Sequence, residues 1–282
     1  MHFNMGGKDF VHSTISFPPG ERRIMYFMLD PPHLLKTFPN CFANSFSHRK
    51  SRQLYKSGQN LSWKAIEALF ELTKNDKYKC TKLTKAHVSL TSFSCMNVKL
   101  AAQVFSKSVA KALRERKNDS PLREVYSDEL VLFIDLMNNC FDCFNGGEES
   151  EKKKENPYLL EYTSKNDLRF AFLEKDFISY LEDWEKDVQE REGRFTKEQR
   201  GKMMISHQSI EGMKISILSF GSLCRFLLNK GAPSVSSRQF NQDPLEQWFS
   251  DFRRAGGSSN NLTLKQVLHS RFSLQAQDQM FS

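Results

Sequence analysis

The sequence is short of several things, and each shortage removes a class of protein. No apolar run approaches the roughly 18 residues that a bilayer-spanning helix needs. The N-terminus, MHFNMGGKDF, has no apolar core of the kind a secretory leader carries. Only six Cys are scattered over 282 residues, so a disulfide framework is not expected and reduced thiols in the cytosol or nucleus are. Cys140 and Cys143 form one C-x-x-C, but no second pair lies at zinc-finger spacing and both fall in an apolar helical pattern, which makes core thiols the expectation. There is no G-x-x-x-x-G-K-[ST] loop and no N-K-x-D box; KNDK at 74–77 has the wrong order. A P-loop nucleotide hydrolase is therefore excluded.

What is present is length enough for a sizeable core, 24 Phe and a formal charge of +8. The charge is uneven: residues 1–60 carry eight Lys and Arg against three Asp and Glu, whereas 61–230 are nearly balanced at 28 against 26. The run SHRKSR, ending at Arg52, reads as a solvated basic loop, a nucleic-acid contact or a nuclear-targeting patch.

Residues 23–29, RIMYFML, read as a short buried strand between turn residues. The rest is helical, giving a mainly α chain, α+β overall. HLLKTFPNCF follows Pro31 and Pro32, which suit a first helical turn. LSWKAIEALFELTKND offers Ser62 as N-cap. Val98, Ala102, Phe105, Val109 and Leu113 keep a 3–4 spacing that predicts one helix running toward RERKND. Ser127 opens another, with Leu130, Phe133, Met137, Phe141 and Phe144 along one stripe and NGG ending it. Further helices are expected around NDLRFAFLEKDFISYLEDWEKDVQER, IEGMKISILSFGSLCRFLLNKG and DPLEQWFSDFRRAGG, the last starting at Asp243. Trp63, Trp184 and Trp248 sit in apolar stripes and are expected in the core. One strand cannot make a stable sheet; either the first 22 residues supply partners or the partners lie elsewhere.

Asp30 ends the strand and precedes two prolines, a placement that serves a helix cap or a metal-binding carboxylate. Asp243 and Glu246, three apart at a helix start, share a face. They too read as capping acids or as hard ligands for a divalent metal.

The blocks DPPHLLKTFPNCF, LSWKAIEALF, KLTKAHVSLTSFSCMNVKLAAQVFSKSVAKAL, FIDLMNNCFDCFN and QDPLEQWFSDFRRAGG, in that order, resemble P-element-type transposases, including THAP-domain transposase-like proteins. The resemblance runs from about Arg23 to Phe272. It implies an RNase H-like fold interrupted by a helical GTP-binding insertion, divided here as residues 1–59, 60–235 and 236–282. It further implies a DDE-type site in which Asp30 is the second acid and Glu246 the last, with Asp243 beside it, holding Mg²⁺ or Mn²⁺ for DNA cleavage and strand transfer. The first acid and the THAP zinc module have no match, so a fragment is expected, with the remaining strands upstream of Met1. The alternative is an inactive or domesticated relic that binds DNA or nucleotide without cleavage.

The family's guanine contacts carry over onto Lys82, Val98, Phe141, Asp142 and Asn145. The chemistry suits those residue types. A carboxylate accepts from the N1–H and 2-amino donors of guanine together, Phe stacks on the base, and Asn at i+3 and Lys add polar contacts. Asn97 stands where the family has Lys, which predicts weaker affinity. GTP is expected to bind without hydrolysis. His33 is a further candidate near the metal; Lys36, Asn40, Arg253 and Arg254 are candidate phosphate contacts. DNA, GTP and a second copy of the chain are the expected partners, and the nucleus the expected location.

Overall fold

The computed structural model describes residues 12–17, 21–47, 51–89, 97–147, 155–255 and Thr263. Residues 48–50 of the basic run, 90–96, 148–154, and Gly256 and Gly257 after the last helix lie outside them. Two compact units divide the chain, Met1–Arg238 and Gln239–Ser282, and each is described by itself.

In the first unit β1 (His12–Phe17) pairs antiparallel with β2 (Glu21–Tyr26), Thr14 facing Ile24. The N-terminal stretch therefore supplies the missing strand partner. The strand expected at 23–29 starts earlier, stops at Tyr26, and is not buried. Ile24 and Met25 are 46% and 43% exposed, because among the described residues no third strand pairs with this ribbon. Residues 27–30 leave the ladder, and α1 (Pro31–Ala43) begins.

A two-residue hairpin follows, β3 (Tyr55–Lys56) and β4 (Gln59–Asn60), turned by Ser57 and Gly58 at φ 49° and 77°. Positive φ at both central residues is the turn that matches strand twist. Next come α2 (Lys64–Thr73), α3 (Lys85–Val88), α4 (Val98–Val104), α5 (Lys107–Glu115) and α6 (Asp128–Phe144). Then α7 (Leu168–Ala171) runs through a π-helical segment, Phe172–Phe177, into α8 (Ile178–Glu190). α9 (Lys197–Lys202) and α10 (His207–Asn229) follow. Among the described residues no helix is long and apolar enough to cross a membrane.

One expected cap moves and one expected helix divides. Trp63, not Ser62, occupies the N-cap of α2 and makes no side-chain cap bond; the Ser62 hydroxyl instead accepts from Lys64 N–H at 3.3 Å. The helix expected to run unbroken from Val98 is two helices, because the Ser106 hydroxyl caps α5 by accepting from Val109 N–H. A side-chain oxygen that satisfies an orphan N–H competes with continued helix, and here it wins.

The core is aromatic. Phe42, Trp63, Phe105, Phe133 and Trp184 are all under 5% exposed. Phe133 meets Phe105 and Trp184 edge-on at 5.2 Å each, and Phe42 meets Trp63 at 5.1 Å. Burial of each such ring contributes about 1.5–3 kcal/mol, and a well-oriented ring pair about 0.5–1.5 more. These contacts fasten α1, α2, α6 and α8 to one centre. A second cluster, Phe144, Tyr162, Phe170 and Phe220, holds the far end of α6 against α10. Cys140 and Cys143 lie in the core at 0% exposure, and burial pushes the Cys143 thiol up to about 12.

The second unit contains α11 (Asp243–Ala255). It begins at Asp243 as the sequence predicts. Trp248, expected in the core, is 48% exposed.

Candidate nucleotide site

The floor of the site is where α4 crosses α6. Asn97 opens α4 by accepting from Lys99 and Leu100 N–H at 2.9 and 3.2 Å, so its side chain acts as a cap. One turn in, Ala101 and Ala102 are small enough to leave a hollow that Val98, Phe105, Met137 and Phe141 complete. Two of the predicted base-contacting residues, Val98 and Phe141, therefore share one apolar surface. The hollow itself holds about 10 Å³, roughly one water, so it offers a surface for a base and not a socket that encloses one. Phe141 stays part-exposed while its stripe neighbours Phe133 and Met137 are fully buried.

Asp142 follows Phe141 on the same helix and is part-buried. Its Oδ2 accepts from the side-chain amides of Asn138 and Asn156, both at 2.8 Å. Asn138 in turn accepts from Lys107 N–H at 3.3 Å, and Asn156 from Tyr158 N–H at 3.2 Å. The carboxylate is thus held by two amides that are themselves tied to the starts of α5 and of a short turn at Pro157–Leu159. No hydrogen bond from another described residue reaches Oδ1. Burial raises the Asp142 carboxyl above its ordinary value; the Asn156 and Asn138 hydrogen bonds and the Lys107 charge oppose that rise. Asn145 is the C-cap of α6 and its N–H donates to the Asp142 carbonyl at 3.1 Å.

Lys82 is exposed on a loop whose flanking residues, Thr81 and Leu83, are buried. That loop is pinned toward α4 by His87, whose Nδ1 takes the Thr84 N–H and whose Nε2 pairs with Gln103 Oε1, each at 3.0 Å. Sequence reasoning missed four residues at this site: Lys107, Asn138, Asn156 and Tyr158. The Lys107 ammonium lies 5.3 Å from the Tyr158 ring centre. Asn138 was findable as the i−4 neighbour of Asp142 on one helix face; nothing in the sequence points to the others.

Asp30 is the N-cap of α1, accepting from His33 N–H at 3.0 Å, and its side chain is 5% exposed. His33 Nε2 stands 3.8 Å from the same oxygen. The residue before it is clamped: Leu29 N–H donates to the Ser216 hydroxyl and Leu29 O accepts from it, at 2.9 and 3.1 Å. Asp243 and Glu246 belong to α11 of the second unit, where Glu246 N–H donates to Gln242 O at 2.8 Å. Among the described residues no three His, Cys, Asp or Glu side chains converge to hold a metal ion.

Residues 32–157 match the family model described as TNP-like, GTP-binding insertion domain, a span that contains Lys82, Val98, Phe141, Asp142 and Asn145. The chain is similar to the P-element transposase. The Transposable element P transposase of Drosophila melanogaster is 26% identical over 252 residues, which cover 88% of this chain and 30% of the relative. A solved structure, the Drosophila P element transposase strand transfer complex, superposes with a TM-score of 0.68 at 21% identity, over 91% of this chain and 53% of that one. The chain thus spans about a third of the curated transposase and about half of the solved transposase chain, whose fold it shares.

Proposed function

We propose that this chain is a transposase-type module whose helical insertion binds a guanine nucleotide as a positioning ligand and does not hydrolyse it. The observation that carries the reading is the juxtaposition of a shared Val98–Phe141 apolar surface with a fixed carboxylate, Asp142, that keeps one oxygen open. Such a carboxylate suits the adjacent N1–H and 2-amino donors of guanine. Adenine lacks that donor pair and would leave a part-buried charge unmatched, and sites that leave polar groups unpaired discriminate strongly. Val98 and Phe141 would meet the face of the base, Asn145 its edge, and Lys82 supplies positive charge for an anionic ligand. Lys107 belongs with these residues, since its charge is felt at Asp142.

Asp30, Asp243 and Glu246 are the carboxylates we assign to DNA cleavage and strand transfer in the nucleus, with residues 60–235 as the insertion between flanking RNase H-like segments. A divalent ion, Mg²⁺ or Mn²⁺, would supply Lewis-acid activation of an attacking oxygen there. Hard carboxylate oxygens are the right donor type, and Asp30 Oδ2 is already engaged by the α1 cap. Calorimetry on the full chain tests the nucleotide reading. GTP is expected to bind at least about 100-fold more tightly than ATP, as a site built around polar donors and acceptors allows, with no phosphate released; equal affinity, or none for GTP, refutes it.

A further inference from the structure

Two basic stretches far apart in the chain meet on the first unit. Arg52 closes the run SHRKSR, and its guanidinium donates to the carbonyls of Gly201 and Met204 at 3.1 and 2.7 Å, 149 and 152 residues later. The N–H groups of Gln53 and Tyr55 donate to the Lys202 and Met203 carbonyls at 2.9 and 2.8 Å, so this segment lies along the end of α9. The stretch leading into that end is itself basic: Arg191, Arg194, Lys197, Arg200 and Lys202 stand against Glu192 and Glu198.

Lys202 pairs with Glu198 at 2.7 Å, but among the described residues folding satisfies Arg52, Arg191 and Arg200 without a carboxylate. Arg200 donates to the carbonyls of Val188 and Arg191. The Arg191 guanidinium lies 3.8 Å from the Tyr55 ring centre and 5.0 Å from that of Phe195. Carbonyls and ring faces meet the N–H geometry of a guanidinium but leave its unit charge uncancelled. Other cations of the fold do find carboxylates: Arg225 pairs with Glu174, Arg169 with Asp167, and Lys214 with Glu182, Glu185 and Glu211. Capping of the last helical carbonyls explains Arg52 and Arg200 structurally. It does not explain Arg194 and Lys197, which are exposed and make no ion pair among the described residues.

The structure assigns this surface, Arg52, Arg191, Arg194, Lys197 and Arg200, to the sugar-phosphate backbone of nucleic acid. Anchored guanidiniums offer forks at fixed positions, which suits a polyanion with regularly spaced phosphates. None of the large exposed apolar side chains falls within 191–202, so the patch lacks the apolar anchor that a membrane surface or a peptide groove needs. The assignment deepens the DNA-binding part of the reading above and is independent of the nucleotide site.

The test is a salt series of equilibrium binding between the full chain and a labelled random-sequence duplex, for wild type and the Arg194→Ala/Lys197→Ala double variant. Each lost phosphate contact removes about 0.9 from the slope of log affinity against log salt. The variant is therefore expected to bind more weakly to every sequence, with a slope shallower by about 2, while Lys111→Ala on α5 leaves both unchanged. A double variant with wild-type affinity and slope overturns the assignment. So does preferential binding of polyglutamate, or of phosphatidylserine vesicles, over the duplex. GTP titration of the same variant is expected to match wild type, so a failure of the guanine reading appears in the calorimeter and a failure of this surface in the salt slope.

Discussion

Replacing Asp142 with Asn isolates the chemistry of one oxygen. In the wild type, Oδ2 accepts from two side-chain amides, Asn138 and Asn156, each at 2.8 Å. An Asn at this position keeps both bonds only if its carbonyl oxygen takes the Oδ2 position, which turns its NH₂ toward the open side. Where the carboxylate presented an acceptor, the variant presents a donor. Guanine offers donors there, so the variant loses charge-assisted bonds worth about 1.5–3 kcal/mol each and sets donor against donor. A combined loss of about 3 kcal/mol or more corresponds to about a 100-fold or greater rise in Kd for GTP. Xanthosine triphosphate carries a carbonyl where guanine carries its amino group, and the outward NH₂ can donate to it, so the variant is expected to prefer this nucleotide to GTP. The unliganded fold should change little, because removing a part-buried charge offsets the weakening of two bonds; a melting shift under about 4 °C is expected, equivalent to about 1 kcal/mol or less. Calorimetry with both nucleotides, beside a thermal melt, reads all three quantities. Undiminished GTP affinity, or a loss of GTP affinity with no gain for xanthosine triphosphate in a folded variant, refutes the assigned geometry.

Three further outcomes follow from the same contacts. Because burial raises the Asp142 carboxyl, GTP affinity should fall with decreasing pH from a point above the ordinary Asp value of about 3.9. The same group's contribution to the stability of the unliganded fold has the opposite sign, since a raised folded-state value means that protonation favours the fold; Asp142→Asn should flatten both dependences, as seen by calorimetry and melts across the acid range. Asp30→Asn should leave the melting temperature unchanged, because Asn caps helices as well as Asp does, whereas Asp30→Ala should cost about 0.5–2 kcal/mol; if Asp30 also serves a metal, only the Asn variant separates the two roles. Gly146→Ala would place a Cβ 2.7 Å from the Leu160 carbonyl oxygen and 3.2 Å from that of Leu159. An overpacking cost of about 1–3 kcal/mol should appear as a clear drop in melting temperature, and an unchanged melt would show that the loop beyond α6 yields easily.

The helices were legible where several local signals agreed. For α6 the Ser127 cap, the apolar stripe and the glycines after Asn145 all point to the same boundaries, and the helix runs from Asp128 to Phe144. The break after Val104 shows how a single signal misleads. Apolar spacing continues through Phe105 to Leu113, and both ends are buried, yet Ser106 closes a cap between them; the packed face is continuous while the backbone is not. The β3–β4 hairpin escaped notice because Tyr55–Lys56 and Gln59–Asn60 lack apolar alternation. Its one sequence cue was the Ser57–Gly58 pair.

The site was less legible, for a physical reason. Val98, Phe141 and Asp142 entered through family resemblance, and periodicity alone would have left Asp142 on a solvated polar face. What gives that carboxylate its character is Asn156, fourteen residues further along the chain, and Asn138, which ties it to the first N–H of α5. The basic surface follows the same logic over a longer span, since Arg52 meets Gly201 only because a strand-like segment pairs with the end of a helix. In both places the chain uses backbone carbonyls or neutral amides, and not opposite charges, to hold an ionised group. The group is thereby fixed in position with its charge left uncancelled: an anion at Asp142, and cations at Arg52, Arg191 and Arg200. Pairing rules read from sequence look for complementary charge, so they pass over ions held in this way.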